Sequence, residues 1–179
     1  MNFKAEDPDI VVTTPDAALQ NAFYAMLEDF DRLDPHNGEY YADARPDFAA
    51  YVKSQLDYER GENMRPGMVP CTHRWLVRDG VMVGNVRVRH NIDTHLLATE
   101  HGHIGYDVPP SQRGRGYGTA TLRAGLEYAR GIGLTRALLF ADADNPASWR
   151  MIERCGGVLE DERMSDYYGV VVRKYWIEL

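Results

Sequence analysis

Apolar residues recur every three to four positions near the start of the chain and every second position further on. Between Leu19 and Phe30 they form one face of a predicted amphipathic helix. Thr14 and Pro15 precede this segment, and a threonine cap followed by proline at the first helical position is typical of a helix start. The same spacing predicts a second helix over residues 45–58.

Two strand-like segments, residues 72–78 and 81–89, flank Asp79 and Gly80. Because Asp-Gly favours a tight turn, we expect these segments to form a β-hairpin. The apolar alternation of the second segment changes phase around Gly84 and Asn85, which predicts a β-bulge there. A short strand is expected at residues 10–12.

The second half of the chain alternates strand and helix patterns. Strands are expected at residues 103–108 and 137–141 and, as a closing hairpin, at 158–163 and 170–177, with a helix over residues 119–130. Gly125 falls inside that helix, where close packing is its expected role. The pattern predicts an α/β (α+β) fold with a mixed central β-sheet flanked by helices. A chain of 179 residues suffices for one domain over residues 1–179.

Residues 113–118 read Arg-Gly-Arg-Gly-Tyr-Gly and lie between a predicted strand and a predicted helix. Alternate glycines leave main-chain N–H groups open, the start of a helix favours negative charge, and arginines add forked donors. These features predict a diphosphate-binding loop, with a flexible surface turn as the alternative. A dinucleotide fingerprint would need Gly or Ala at Thr119 or Thr121, and no Walker pattern is present.

The pattern Arg-x-x-Gly-x-Gly, from Arg113 to Gly118, resembles the pyrophosphate loop of the GNAT superfamily of N-acetyltransferases. Asn145 and Ser148 match the start of the helix that lies beside the coenzyme in that family, although an ordinary capped helix is the alternative here. The resemblance covers roughly Trp75 to the C-terminus. It implies the GNAT fold with splayed central strands, acetyl-CoA as cosubstrate and no metal.

The resemblance also implies which residues contact the coenzyme. The main chain near Val108 is expected to polarise the thioester carbonyl, because Pro109 and Pro110 cannot continue a ladder and the strand must splay there. The implied contacts are Tyr106, Asp107, Val108, Arg113, Gly114, Arg115, Gly116, Tyr117, Gly118, Thr119, Asn145 and Ser148.

The proton-transfer residues depart from the family pattern. The usual carboxylate position falls close to Gly102, so His103 is the expected general base and Glu100 the second choice. For His103 the alternative is a core histidine hydrogen-bonded to a neighbour. The usual tyrosine position falls at Ile152, so the acid that protonates the thiolate is expected from Tyr175, from another tyrosine or from water. The other tyrosines considered are Tyr106, Tyr167 and Tyr168.

Composition narrows the partners and the location. A net charge of −7 argues against general affinity for nucleic acid or an anionic membrane. No apolar run reaches membrane-span length, and residues 1–8 lack a signal-peptide pattern. Cys71 and Cys155 are too few for a disulfide framework, so a cytoplasmic protein is expected. The histidines show no familiar metal-ligand spacing.

The residues and the resemblance together predict an acetyl-CoA-dependent N-acetyltransferase. A primary amine, from a small molecule or a peptide, would attack the thioester directly in a ternary complex. The resemblance makes a homodimer plausible. The alternative function is a coenzyme A-binding sensor or regulatory module without chemistry, which Gly102 and Ile152 keep open.

Overall fold

The computed structural model describes residues 9–179, so the segment considered for a signal peptide, residues 1–8, lies outside the described residues. The strands are β1 (Val11–Thr13), β2 (Cys71–Arg78), β3 (Val81–Arg89), β4 (Ile104–Asp107), β5 (Arg136–Asp142), β6 (Val158–Met164) and β7 (Val171–Glu178). The helices are α1 (Gln20–Leu33), α2 (Pro35–Gly38), α3 (Phe48–Arg60), α4 (Tyr117–Gly131) and α5 (Pro146–Arg154). A π-helix lies at Leu97–His101, and 3₁₀ turns lie at Ala17–Leu19, Glu39–Ala44 and Pro110–Gln112.

The first sheet is antiparallel, in the order β1-β2-β3-β4. Its β2–β3 hairpin turns through Asp79 and Gly80, whose positive φ angles of 49° and 76° confirm the predicted tight turn. The β2–β3 register shifts, because Leu76 faces Gly84 whereas Val77 faces Met82. This shift confirms the predicted bulge beside Gly84.

The second sheet has the order β5-β7-β6 and is also antiparallel. The free edges of β4 and β5 face each other, and they meet at one end. There the His103 N–H donates to the Leu138 carbonyl oxygen at 2.8 Å, and the Leu138 N–H donates to His103 Nδ1 at 2.9 Å. We call this pair of contacts the sheet joint. Beyond it, no ladder within residues 9–179 pairs β4 with β5, so the predicted sheet is divided where these strands splay.

Helices cover both faces of the first sheet. On one face α4 packs so closely on β3 that a Cβ added to Gly125 would lie 2.6 Å from Val86 Cγ2, which confirms the role predicted for this glycine. On the other face α1 and α3 enclose Trp75 in an aromatic cluster, in which the Phe23 and Trp75 ring centroids lie 4.9 Å apart. Among residues 9–179, no helix combines the length and apolarity that a membrane crossing requires.

The starts of two helices differ from their predicted positions. Asp16 caps the turn before α1 by accepting the Ala18 N–H at 2.8 Å, so the cap predicted at Thr14 was wrong. Asp47 caps α3 by accepting the Ala50 N–H at 2.9 Å, so this helix begins later than the predicted residue 45. In both cases a carboxylate near the helix start satisfies an N–H that has no intrahelical partner.

Candidate active site

The glycine-arginine loop, residues 113–118, leads from β4 into α4. Gly114 and Gly116 hold left-handed φ angles of 76° and 87°. In the part of the chain that the structure describes, the main-chain N–H groups of residues 114–118 have no protein acceptor. They lie at the N-terminal end of α4, where the helix dipole favours an anion. The loop therefore offers consecutive unpaired donors of the kind that hold a diphosphate.

The two loop arginines have different surroundings. Arg113 Nη2 pairs with Asp34 Oδ2 at 2.5 Å, and its Nε donates to the Val108 carbonyl oxygen at 3.1 Å. Burial of Asp34 opposes ionisation, but hydrogen bonds from Asn37 and Arg113 outweigh it and lower the carboxyl pKa. Arg113 therefore ties the loop to the end of α1. Arg115 is exposed and has no carboxylate partner within residues 9–179, which leaves its charge available to a ligand.

Two hydroxyls connect β4 to α5 where the sheets diverge. The Tyr106 hydroxyl and Ser148 Oγ are hydrogen-bonded at 2.7 Å. Asn145 caps α5, as predicted, by accepting the Ser148 N–H at 3.1 Å, and this contact fixes the serine at the first turn. Burial raises the pKa of Tyr106, so its hydroxyl keeps its proton at neutral pH and can donate it.

The remaining implied coenzyme contacts already have protein partners. Tyr117 is the first residue of α4, and its ring is buried in the core. The Thr119 N–H donates to the Gly116 carbonyl oxygen at 3.1 Å. The Val108 carbonyl accepts from Arg113, and the Asp107 carboxylate accepts from Tyr41. A ligand would therefore share these groups with the protein or contact other atoms of the same residues.

A cavity of about 620 Å³ opens beside the divergence of β4 and β5, within the size range of small-molecule sites. Strands β3, β4 and β5, helix α3 and Ser148 of α5 contribute to its wall. Its polar lining includes Gln55, His73, Arg87, Arg89, Glu100 and Asp142. This cavity is the candidate acceptor site, because it reaches the Tyr106–Ser148 hydroxyl pair.

A half-buried ion pair forms part of the cavity wall. Arg87 Nη1 lies 2.7 Å from Asp107 Oδ2, and the Tyr41 hydroxyl donates to the same oxygen at 2.8 Å. A Cβ on Gly105 would lie 3.1 Å from the Arg87 guanidinium, so glycine leaves the space through which this side chain crosses β4. Burial, and then the Asp107 charge, raise the pKa of Tyr41.

His103 has a structural position at the sheet joint. Its Nδ1 accepts the Leu138 N–H, so the neutral ring carries its hydrogen on Nε2 and neither nitrogen keeps a free lone pair. Burial, and then the charges of Arg89 and Arg136, lower the pKa of this ring. His103 does not belong to the described cavity lining. This is the environment of a core histidine, the alternative weighed for this residue.

Of the other two predicted catalytic residues, one lines the cavity. Glu100 is 7% exposed and accepts from Ser165 Oγ at 2.7 Å and from Arg163 Nη2 at 3.0 Å. The structure therefore places it inside the site. Tyr175 is fully buried in the core, and its hydroxyl donates to Glu153 Oε1 at 3.0 Å. It does not belong to the described cavity lining.

The two departures from the family pattern have structural causes. Gly102 has φ 65° and ψ −167°, a region that is essentially restricted to glycine. A Cβ there would lie 2.3 Å from the Leu138 carbonyl oxygen, so a carboxylate side chain has no room. Ile152 is fully buried in the core, where its aliphatic side chain packs and offers no hydroxyl from that position of α5.

The histidines near the cavity do not form a metal site. The Tyr168 hydroxyl lies 2.8 Å from His101 Nε2, and burial followed by the Arg89 charge lowers the pKa of His101 to about 4. Burial also lowers the pKa of His73, to about 3. Both rings are therefore neutral at pH 7. Residues 9–179 bring together no group of three His, Cys, Asp or Glu side chains suited to a metal ion.

Sequence reasoning did not identify the charged lining of the cavity. Arg87 and Arg89 alternate with Val86 and Val88 along β3, a pattern typical of a strand with one solvent-exposed face. In the structure that face is covered by α3 and the segment that carries Tyr41. The charged alternation was the available signal, but which elements cover it depends on distant parts of the chain.

Comparison with known proteins identifies the family. A family model described as acetyltransferase (GNAT) family matches residues 23–157. The chain therefore belongs to the GNAT acetyltransferase family, as the loop and the Asn145 segment predicted. It is an acyltransferase, and its acyl donor is acetyl-CoA. No curated protein matches the chain.

Solved structures of similar fold support this assignment. The microcin C7 self-immunity acetyltransferase MccE, in complex with acetyl-CoA and AMP, has 17% identity and a TM-score of 0.71, with 99% of this chain and 96% of that chain covered. RimL, a ribosomal α-N-protein acetyltransferase in complex with coenzyme A, has 18% identity and a TM-score of 0.72, with 100% and 98% covered. A chimera of spermidine N-acetyltransferase SpeG from Vibrio cholerae has 12% identity and a TM-score of 0.59, with 95% of each chain covered. At these identities the similarity shows the fold alone.

Proposed function

We propose that this protein transfers the acetyl group of acetyl-CoA to a primary amine by direct attack in a ternary complex. The observation that carries the proposal is the position of the cavity, which is lined by residues of both diverging strands and by Ser148. A loop with unpaired N–H donors follows the same strand β4. Acetyl-CoA supplies an activated thioester. The protein holds the diphosphate at residues 114–118 and orients an amine in the cavity.

We propose Glu100 as the general base, acting directly or through a water molecule. Of the three predicted catalytic side chains, it is the one among the described cavity-lining residues. The contacts from Ser165 and Arg163 hold its carboxylate in one orientation. We assign His103 a positioning role, because its Nδ1 lone pair is used at the sheet joint.

Replacing Glu100 tests this assignment. Since a positioned base contributes about 10²- to 10⁴-fold, Glu100→Gln should lower kcat at neutral pH by at least that lower bound. The dissociation constant of coenzyme A should stay unchanged, because the residue lies outside the loop. Ser165→Ala is the matched control: it removes a hydrogen bond to the carboxylate but keeps the carboxylate, so its kcat should fall far less. A Glu100→Gln enzyme with a wild-type pH–rate profile would remove Glu100 as the base.

We propose that the Tyr106–Ser148 hydroxyl pair protonates the leaving thiolate. The pair lines the cavity where β4 and β5 diverge, and Tyr106 is protonated at neutral pH. The third predicted candidate, Tyr175, donates its hydroxyl hydrogen to Glu153 within the core. The pair, one hydroxyl on β4 and one on α5, thus supplies the proton that Ile152 cannot supply.

The amine acceptor is proposed at the level of its class. RimL is a ribosomal α-N-protein acetyltransferase and SpeG is a spermidine N-acetyltransferase. A cavity of about 620 Å³ has room for a small molecule or for the end of a peptide. A thiol-release assay with acetyl-CoA over amines, polyamines, aminoglycosides and peptide N-termini tests the activity.

A coenzyme A-binding sensor is the second candidate. It is favoured by the two family positions that lack a proton-transfer group: Gly102, where a side chain has no room, and the buried Ile152. Tight binding of coenzyme A, measured calorimetrically, without thiol release for any amine of the panel would establish the sensor and exclude the transferase.

We propose the cytoplasm as the location and a homodimer as the assembly. Neither Cys71 nor Cys155 forms a disulfide within residues 9–179, which fits a reducing compartment. β6 is an edge strand with exposed apolar side chains, among them Val158 at 69% and Met164 at 57%. Because exposed apolar edges favour pairing between chains, β6 is the proposed dimer contact. Light scattering of the purified protein measures the assembly, and a monomer at micromolar concentration would exclude the dimer.

A further inference from the structure

Arg89 is the arginine of the cavity wall that lacks a carboxylate partner. The other two cavity arginines are paired, Arg87 with Asp107 and Arg65 with Asp43. Arg89 Nη1 instead donates to the Gly102 carbonyl oxygen at 3.1 Å, and no Asp or Glu within residues 9–179 lies at ion-pair distance. A half-buried guanidinium without a counter-charge is unfavourable until an anion reaches it.

Two buried polar atoms of the same cavity also lack partners. His73 Nδ1 and Gln55 Oε1 have no hydrogen-bond partner among the described residues, although the two residues are only 8% and 9% exposed. His73 is paired with Arg87 in the β2–β3 register, so it lies on the same sheet as the arginines. Unsatisfied buried polar atoms are rare in folded proteins. The cavity is therefore built for a polar occupant.

The far end of the cavity carries the opposite charge. Asp142 ends β5, is exposed to solvent at the cavity mouth and has no ion pair within the described residues. Arg89 lies beside the sheet joint, because its N–H donates to the His103 carbonyl oxygen at 2.8 Å. Asp142 is four residues beyond Leu138 of the same joint. Strand geometry separates the main chain at Leu138 from that at Asp142 by roughly 13 Å along the strand direction.

We propose that the acceptor carries an anionic group, a carboxylate or a phosphate, in addition to its amine. The anionic group binds Arg89, with the His73 ring as a neighbouring donor through a hydrogen on its unpartnered Nδ1. The ammonium end faces Asp142, where the strands diverge and the Tyr106–Ser148 pair lies. The inference rests on the proposed function and specifies the substrate class of the same site. It excludes simple polyamines as preferred acceptors, because these present a cation at both ends.

The first experiment compares acceptors that differ only at the far end. Thiol release with acetyl-CoA is measured for four series of acceptors of equal length. These are the ω-amino acids from glycine to ε-aminocaproate, the aminoalkyl phosphates, the amino alcohols and the diamines. A charge-assisted contact should raise kcat/KM for the best carboxylate or phosphate by about 10- to 100-fold over its matched alcohol. The ratio of kcat/KM between the carboxylate and the phosphate series shows which anion the site prefers. Alcohols or diamines used as well as the anions would overturn the inference.

Variants then assign the preference to Arg89. Arg89→Gln should abolish the anion preference, whereas Arg89→Lys should keep part of it because the charge remains. Arg130→Gln removes the same charge from an exposed position of α4 and should leave the preference unchanged. The panel on the wild-type protein decides the question even if Arg89→Gln fails to fold, since that comparison needs no variant.

A binding measurement separates this inference from the proposed function. Calorimetry of coenzyme A-saturated protein with the same ω-amino acids and amino alcohols requires no turnover. Anion binding that depends on Arg89, without acetylation, would uphold the inference and refute the transferase activity. Acetylation of amines without a preference for anionic acceptors would uphold the transferase activity and refute the inference. Absence of binding by every anionic probe would overturn the inference.

Discussion

Substitution of Gly102 by alanine is the sharpest test of how the two sheets are held. Gly102 precedes His103, and its N–H donates to the Leu97 carbonyl oxygen at 2.8 Å. Its φ of 65° and ψ of −167° belong to a region that other residues avoid. The added Cβ would lie 2.3 Å from the carbonyl oxygen of Leu138, which already accepts the His103 N–H.

The expected destabilisation follows from two separable costs. The backbone conformation alone costs alanine about 1–3 kcal/mol. Relief of the clash must move the β4 side of the sheet joint away from Leu138, which weakens the two hydrogen bonds between His103 and Leu138. A weakened pair in a buried location costs about 1–3 kcal/mol more. The free energy of unfolding should therefore fall by about 2–6 kcal/mol in total.

Urea unfolding, followed by circular dichroism, measures this difference against a matched control. Gly133→Ala places alanine at a φ of 90° with no atom within 4 Å of the new Cβ, so it reports backbone strain alone. That control should lose only about 1–2 kcal/mol. Equal losses in the free energy of unfolding for Gly102→Ala and Gly133→Ala would refute the close contact at Leu138. They would also refute the structural explanation for the absence of a carboxylate at Gly102.

Three further predictions concern the coenzyme loop, the acid and the pH response. Gly116→Ala should weaken coenzyme A binding in calorimetry by at least about tenfold, because its φ of 87° must change, while Gly133→Ala should not affect binding. Ser148→Ala and Tyr106→Phe should each lower kcat about 10- to 100-fold with acetyl-CoA. This loss of kcat should be smaller with acyl donors whose thiol is more acidic. The same loss with every donor would argue against the hydroxyl pair as the acid. The folded-state pKa of His73, about 3, lies below the unfolded value near 6.5, so its stabilising contribution is complete above pH 6.5 and declines as the pH falls towards 3. From pH 6.5 to 4.5 this residue should account for about 2 kcal/mol of lost stability. His73→Leu should lose that much less over the same interval in urea titrations, and parallel losses would show that His73 is not buried as a neutral ring.

The sequence predicted the elements whose signals are local. The Asp79-Gly80 turn, the bulge near Gly84 and the Asn145 cap each depend on residues only a few positions apart, and the structure contains all three. Helix starts were less well predicted, because Thr14 and Asp16 both suit a cap and the choice between them depends on how the turn before α1 packs.

The signals for the coenzyme side are local in the sequence, whereas those for the acceptor side are not. The loop at residues 113–118 is contiguous, so a diphosphate-binding role could be predicted from its pattern and its resemblance to the GNAT loop. Arg87 and Asp107 are twenty positions apart, and only the β3–β4 pairing and the cover provided by Tyr41 turn them into a half-buried pair. The environment of His103 likewise depends on Leu138, a partner that no local pattern indicates.

The gap between β4 and β5 has a consequence for the life of the protein in the cell. Beyond the sheet joint, each strand presents an unpaired edge, and such edges can recruit strands of other chains. We expect the pantetheine arm of acetyl-CoA, which carries amides of its own, to occupy this gap as a substitute strand. Occupancy then protects the polypeptide, by about 2.7 kcal/mol when the coenzyme is at one hundred times its dissociation constant. We therefore expect the abundance of the enzyme to follow the supply of its cosubstrate, with aggregation and proteolysis increasing when acetyl-CoA and coenzyme A are depleted.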